Sequence, residues 1–148
     1  MRFALTKTAF LIVTLVLHSN IANEYVAYKG DSFQIEWYYS AKGDSQAREY
    51  YLELDRDDRK QVLKLCKMMG EIVKISDIKK FRNEGDKVYA FKRQPHRFLS
   101  FFVQGKKIIV TNSFWKKQKK LPENEKDKAS KCMESNLQRV KEGTYHYK

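Results

Sequence analysis

Residues 88–129 constrain the fold of this chain more than any other segment. They read as apolar strands separated by short turns, followed by a lysine-rich segment that leads into a helix. The predicted strands and turns are residues 87–92, Gln94-Pro95, residues 98–103, Gln104-Gly105-Lys106 and residues 108–110. Connections this short join neighbouring antiparallel strands, so we expect a three-stranded antiparallel sheet.

The segments on either side of this sheet predict one more strand and three helices. Apolar and polar residues alternate from Phe33 to Tyr39, which is the period of a half-buried strand. Apolar residues at helical spacing predict helices over about 47–54 and 57–70, joined as a helical hairpin, and a last helix from Pro122 to Gly143. The predicted fold class is α+β, with an N-terminal strand, a helical hairpin, a three-stranded antiparallel sheet and a C-terminal helix.

The N-terminus allows two interpretations. Arg2 and Lys7 precede an apolar run over residues 8–17, and the small residue Ala22 follows, as in a signal peptide. The run is too short to span a membrane. The alternative is an upstream start codon that adds a spurious leader to a cytoplasmic protein. We therefore expect a leader over residues 1–22, a folded domain over 31–143 and a polar, aromatic tail over 144–148, with export as the alternative if the leader is genuine.

Charge is the feature of the composition that bears most on function. Thirty basic residues against 18 acidic ones give a net charge of +12, which favours anionic partners. Four lysines lie in the five residues 116–120, directly after Phe114 and Trp115. Cations beside aromatic rings at the end of a sheet favour RNA as the polyanion, with no stable membrane partner. A charged face that only keeps the protein soluble is the alternative.

The cysteines and histidines predict no redox or metal chemistry. Cys66 and Cys132 both fall on the apolar stripes of predicted helices, where buried free thiols are expected; a disulfide would require export. His18, His96 and His146 show no paired metal-ligand spacing. We therefore expect neither a metal site nor a cofactor.

Several short blocks of sequence occur in a characteristic order. They are Tyr50-Tyr51-Leu52-Glu53-Leu54, Asp57-Asp58-Arg59-Lys60, Lys79-Lys80-Phe81, residues 88–92, His96-Arg97-Phe98, Gly105 with residues 108–110, and residues 114–122 with Glu125 and Ala129. In these blocks, from Asp31 onward, the sequence resembles the RelE/HigB superfamily of toxin–antitoxin toxins, closest to its phage-protein-like branch. The last block, which matches the pattern F-x-K-K-x-x-K-x-P…E…A, is the most specific. The Glu-Leu-Arg strand end of the family is Ala90-Phe91-Lys92 here.

This resemblance implies a small RNase-like fold and a partner. Many members of the superfamily enter the ribosomal A site and cut mRNA without a metal, and a helix-turn-helix antitoxin silences them. The resemblance therefore implies an mRNA endonuclease that acts on the ribosome as the toxin of a type II system. Two alternatives remain open, namely a non-catalytic module that binds RNA or an antitoxin, and an exported basic protein.

The candidate site residues follow from position and chemistry. Lys92 and Arg97 match basic positions of the superfamily in the second and third sheet strands. Crowded cations lower the pKa of at least one member, so one cluster can supply both a base and a phosphate clamp. The candidate catalytic residues are Lys92, Arg97, Lys116 and Lys117. The candidate RNA-binding residues are Lys119, Lys120, Trp115, Arg82 and Tyr89, of which Trp115 should face opposite to Phe114 and Tyr89 has a core position as its alternative; Tyr145 and Tyr147 are further candidates in the tail.

Overall fold

The part of the chain that the structure describes forms a mixed sheet of six strands, with helices on both of its faces. The computed structural model describes residues 24–71 and 81–145. The strands are β1 (Val26–Lys29), β2 (Gln34–Trp37), β3 (Phe81–Gly85), β4 (Val88–Arg93), β5 (His96–Val103) and β6 (Lys107–Trp115), and the helices are α1 (Gln46–Glu53), α2 (Arg56–Glu71) and α3 (Glu123–Glu142). The predicted leader over residues 1–22, and Tyr147 in the tail, lie outside the described residues.

The predicted three-stranded antiparallel sheet is wrong. The strands lie in the order β1-β2-β6-β5-β4-β3, and β2 pairs with β6 in parallel, from Gln34 opposite Lys107 to Trp37 opposite Val110. The other pairs are antiparallel. The sequence pattern missed β1 and β3 because short edge strands need no apolar alternation, and β3 reads Phe-Arg-Asn-Glu-Gly, which has the composition of a turn.

The predicted helical hairpin is also wrong, although an α+β fold agrees with the structure. α1 packs chiefly against β6, whereas α2 packs against β1, β2 and β4. Leu54 and Asp55 separate the two helices, and the Asp55 carboxylate accepts a hydrogen bond from the backbone N–H of Asp58 at 2.8 Å. Each helix buries its apolar stripe on the sheet, because the sheet offers a wider apolar surface than a second short helix does.

The two faces of the sheet carry separate apolar cores. We call the side covered by α1 and α2 the α1–α2 face, and the opposite side the α3 face. The core of the α1–α2 face is the larger, and includes Ile35, Trp37, Val62, Cys66, Met69, Phe91, Phe98, Ile108 and Val110. The core of the α3 face consists of Val88, Ala90, Leu99, Phe114 and Ala129, with Leu121 against it.

The predicted C-terminal helix is present, and contacts along its length fix it on the sheet. Glu125 lies in its first turn, and its carboxylate accepts a hydrogen bond from Asn112 Nδ2 at 2.9 Å. Near its end, Arg139 Nη1 donates to the carbonyl oxygen of Tyr39 at 2.7 Å. Gly143 ends the helix with a φ of 75°, a conformation that glycine adopts without strain. The C-terminal part of the sequence block that begins at Phe114, from Pro122 to Ala129, therefore holds α3 against the sheet.

Both cysteines are free thiols. Cys66 is buried in the core of the α1–α2 face, and burial raises the pKa of its thiol to about 12. Cys132 is partly buried on α3, where burial raises the pKa to about 11. The prediction of a buried free thiol is thus confirmed for Cys66, and neither cysteine is a reactive thiolate at neutral pH.

Candidate functional site

Basic side chains lie on the α3 face of three neighbouring strands, β3, β4 and β5. Residues that pair across strands point to the same face. Lys92 of β4 pairs with Arg97 of β5, and Arg97 pairs with Phe114 of β6, which belongs to the core of the α3 face. Arg82 of β3 pairs with Ala90 of the same core, so its side chain also projects from this face.

Arg97 is the most buried of these cations, with only 5% of its surface exposed. Its Nη1 donates to the carbonyl oxygen of His96 at 2.9 Å, and its Nη2 donates to Gln94 Oε1 at 3.1 Å. Its buried Nε has no hydrogen-bond partner within residues 24–71 and 81–145. Burial lowers the pKa of Arg97, while the Glu84 carboxylate acts to raise it. A buried guanidinium with neutral acceptors and a spare donor is suited to an anion.

Lys92 lies close enough to several charged side chains for them to shift its pKa. Burial is the main cause that lowers the pKa of Lys92, and the Glu84 carboxylate acts in the opposite direction. Arg82, Arg97 and Lys116 lower it further by repulsion between like charges. We call Arg82, Lys92, Arg97 and Lys116 the cationic cluster, with Glu84 as its neighbouring acid.

The segment between β6 and α3 borders this cluster. The backbone N–H of Lys116 donates to the carbonyl oxygen of Pro95 at 2.9 Å, which holds the segment beside the connection between β4 and β5. At the other end of the segment, Leu121 packs against the core that contains Phe114. The remaining predicted lysines of the block, Lys117, Lys119 and Lys120, are exposed here. Lys116 is the member of the block whose charge acts on Lys92.

The structure does not bring the predicted aromatic residues to the cationic cluster. Trp115 pairs with His96 on the α1–α2 face, where it is 59% exposed, and it faces opposite to Phe114 as predicted. Tyr89 also points to the α1–α2 face and stacks on Phe81 with ring centroids 5.3 Å apart. Tyr145 is fully buried against Tyr39. The positions of Trp115, Tyr89 and Tyr145 therefore do not support stacking on an RNA base at the cationic cluster.

Sequence reasoning missed a polar network on the opposite side of the same strands. His96 Nδ1 lies 2.7 Å from the hydroxyl of Tyr50, and His96 Nε2 lies 3.4 Å from Asp58 Oδ2. Arg93 Nε donates to Asp58 Oδ1 at 3.0 Å. Burial acts to raise the pKa of Asp58, but Arg93 and His96 together hold that pKa below its usual range. The network fastens the connection between β4 and β5 to α1 and α2.

A signal for this network is present in the sequence. Side chains alternate between faces along a strand, so Arg93 and His96 point away from the face of Lys92 and Arg97. The acidic partner Asp58 lies in the first turn of α2, which was predicted from sequence. The sequence does not show that Asp58 lies beside Arg93 and His96, because no local pattern tells which helix packs over which strand.

The described ranges contain neither a metal-binding cluster nor a membrane-spanning helix. Among these residues, no group of three or more His, Cys, Asp or Glu side chains is placed to hold a metal ion. Within the same ranges, no helix has the length and apolar character needed to cross a membrane.

The sequence of the chain matches a known protein family. The sequence profile of the family described as "Phage derived protein Gp49-like (DUF891)" matches residues 49–134. No curated protein matches the chain significantly. The matched region covers more than half of the sequence and runs from α1 to α3, so it contains the whole cationic cluster. The chain therefore belongs to the Gp49-like family of phage-derived proteins.

Proposed function

We propose that this protein is the toxin of a type II toxin–antitoxin system and acts as a metal-independent, ribosome-dependent mRNA endonuclease. The observation that carries the proposal is the cationic cluster, in which buried Arg97 keeps a spare donor beside Lys92, whose pKa is lowered. Membership of the Gp49-like family supports a toxin. The resemblance of the sequence to the RelE/HigB superfamily supports ribosome-bound mRNA as the substrate.

The chemistry assigns a separate task to each member of the cluster. Neutral Lys92 removes the proton of a ribose 2′-hydroxyl, and the 2′-oxygen attacks the neighbouring phosphorus. The bond between phosphorus and the 5′-oxygen breaks, and the Lys116 ammonium donates a proton to the leaving oxygen. Arg97 binds the phosphate oxygens as negative charge develops on them. The products are a 2′,3′-cyclic phosphate and a 5′-hydroxyl end.

The other basic residues have a binding task in this proposal. Lys117, Lys119 and Lys120 are exposed beside the cluster, where they neutralise phosphates on either side of the cut. The proposed setting is the cytoplasm, with a helix-turn-helix antitoxin as the silencing partner. Export remains the alternative if the N-terminal leader is genuine.

Expression of the full chain from an inducible promoter tests the proposal. The expected result is growth arrest with discrete cuts in translated mRNA that carry 5′-hydroxyl ends. The paired change Lys116→Ala and Lys117→Ala should abolish cutting while circular dichroism shows an intact fold. The matched control is Lys60→Ala with Lys67→Ala on α2, which removes the same charge from exposed positions away from the cluster.

Two results would contradict the proposal. If the folded protein accumulates but cells grow normally and their mRNA stays intact, the proposed nuclease activity is ruled out. Salt-sensitive binding of RNA without any cleavage product would identify the non-catalytic RNA-binding module instead.

A further inference from the structure

A groove lies on the α3 face, at the opposite end of β5 from the cationic cluster. Its volume is about 390 Å³. Phe101 lies four positions after Arg97 along β5, which corresponds to roughly 13 Å at the usual rise of a strand. The groove is lined by Phe101 and Val103 of β5, by Lys87 and Lys107, and by Leu137 and Val140 of α3, among others. It is therefore a separate feature from the candidate nuclease site.

One wall of the groove is an apolar stripe of α3. Met133, Leu137 and Val140 follow one another at intervals of four and three residues, so they lie on one side of the helix. Leu137 is 51% exposed and Val140 is 46% exposed. Large apolar side chains left half in solvent beside a groove, and continuous with its apolar floor, mark an interaction site.

The rim of the groove on the side of the sheet is basic. Lys87 and Lys107 line it, and Lys106 lies in the turn between β5 and β6. Lys107 forms an ion pair with Glu36 at 3.2 Å. Within the described residues, Lys87 and Lys106 have no salt-bridge partner, so their charges remain available to an acidic ligand.

We propose that this groove binds an acidic amphipathic helix of a partner protein. An apolar stripe on that helix, with residues at i, i+4 and i+7, would pack between α3 and β5, and its flanking carboxylates would pair with Lys87 and Lys106. A second copy of this chain fits less well, because each copy carries a net charge of +12 and the copies repel each other. The inference rests on the groove alone and does not depend on nuclease activity.

Binding of designed peptides to the full chain tests the proposal. The probes are synthetic amphipathic helices with Leu at i, i+4 and i+7 and Glu on both flanks. Two peptide controls share the composition in scrambled order, or carry Lys in place of Glu. Fluorescence anisotropy should show that the acidic helices bind best, with an affinity that falls as salt rises.

Matched variants locate the binding. Leu137→Glu should lower the affinity for the acidic helices by about tenfold or more, since it places a charge in the apolar contact. The control is Leu63→Glu on α2, because Leu63 is also an exposed leucine of a helix, at 40% exposure, but lies away from the groove. The Leu63→Glu variant should bind the acidic helices with unchanged affinity.

Three outcomes would overturn the proposal. The first is that acidic helices bind no better than their scrambled controls. The second is equal binding by the Leu137→Glu variant when its thermal unfolding shows a folded protein. The third is a dimer in sedimentation experiments that Leu137→Glu dissociates, because the groove would then receive a second copy of the chain.

Discussion

Arg97 donates a hydrogen bond from Nη1 to the carbonyl oxygen of His96 at 2.9 Å, while the ring of His96 lies on the other face of the sheet. That ring contacts the hydroxyl of Tyr50 and the carboxylate of Asp58. The first residues of β5 thus connect the cationic cluster on the α3 face to a polar network under α1 and α2. The network holds in place the backbone acceptor that orients Arg97.

Arg97→Lys tests the need for a planar guanidinium. Lysine keeps the positive charge but loses the forked geometry that bonds two acceptors and a phosphate together. The expected result is a fall of about 100-fold in the rate of RNA cleavage, the size of effect seen when one preorganised donor to a transition state is lost. The measurement is single-turnover cleavage of ribosome-bound mRNA.

Arg48→Lys on α1 is the matched control for that change. Arg48 is a partly buried arginine, more exposed than Arg97, and it pairs with Glu24 at 3.3 Å. Its substitution should leave the cleavage rate within a factor of about two, since surface ion pairs contribute little to stability. A cleavage rate that is the same in Arg97→Lys as in the unchanged protein would remove Arg97 from the mechanism.

The pH dependence of cleavage should report the pKa of Lys92. A general base acts when neutral, so the rate should rise with pH, with a midpoint below the ordinary lysine value of 10.5. Arg82→Ala removes a repelling cation, which raises the pKa of Lys92 and moves the profile to higher pH. Glu84→Gln removes a stabilising anion, which lowers that pKa and moves the profile to lower pH.

These two variants make the pH test specific. Both residues lie next to Lys92, and their charges act on it with opposite sign. A general loss of structure would reduce the rate in both variants without moving the midpoints in opposite directions. Midpoints that shift together, or not at all, would show that Lys92 is not the base.

Asp58→Asn should destabilise the fold in a pH-dependent manner. Arg93 and His96 hold the pKa of Asp58 below its ordinary value of 3.8. The ionised carboxylate therefore stabilises the fold above about pH 3.8, and this contribution is lost as pH falls through the lower pKa of the folded state. Urea unfolding should show a loss of about 1–2 kcal/mol at neutral pH, which diminishes in acid.

Asp57→Asn is the control for the network. Asp57 also contacts Arg93, at 3.3 Å, but its side chain is 76% exposed. Its substitution should change the free energy of unfolding by less than about 0.5 kcal/mol. Equal losses in the two variants would show that the buried contact of Asp58 with His96 adds no stability.

Gly30→Ala should destabilise the junction between β1 and α2. A Cβ at Gly30 would overlap the backbone carbonyl of Gly70, and the two segments are already bonded there through Phe33 N–H to Gly70 O at 3.0 Å. Because backbone atoms cannot move aside as a side chain does, the cost should exceed about 2 kcal/mol.

Gly105→Ala separates this steric effect from the general cost of replacing a glycine. Gly105 has a φ of +84° and open space around its Cβ position. Its substitution should cost only about 1 kcal/mol, the strain of a left-handed conformation in alanine. Thermal unfolding of both variants provides the comparison, and a smaller loss for Gly30→Ala would contradict the close approach.

The sequence contains enough information to predict the central strands and the last helix. The apolar runs in β4, β5 and β6 show their strand character locally, as do the turns at Gln94-Pro95 and Gly105. By contrast, β1 and β3 are short edge strands. These segments become strands because they form hydrogen bonds to a neighbouring strand, and a pattern of four or five residues does not show which strand that is.

The sequence likewise predicts some residues of the candidate site but not others. Position in the family pattern predicts Lys92, Arg97 and Lys116. Pairing across the strands brings Lys92 and Arg97 together, and the backbone bond from Lys116 to Pro95 places Lys116 near them. Alternation along β6 predicts that Trp115 faces opposite to Phe114, but its separation from Arg97 depends on the pairing of Arg97 with Phe114. Glu84, which acts on both Lys92 and Arg97, lies in a strand that the pattern missed.

The parallel pairing of β2 with β6 also has a consequence for the order in which the protein is made. β2 leaves the ribosome early, yet its parallel partner β6 is synthesised only after the other strands of the described residues. Pairings between such distant segments form late in folding. A nascent chain that stops before β6 therefore lacks both Phe114 and Lys116, so the cationic cluster is complete only after β6 and the residue that follows it have been synthesised.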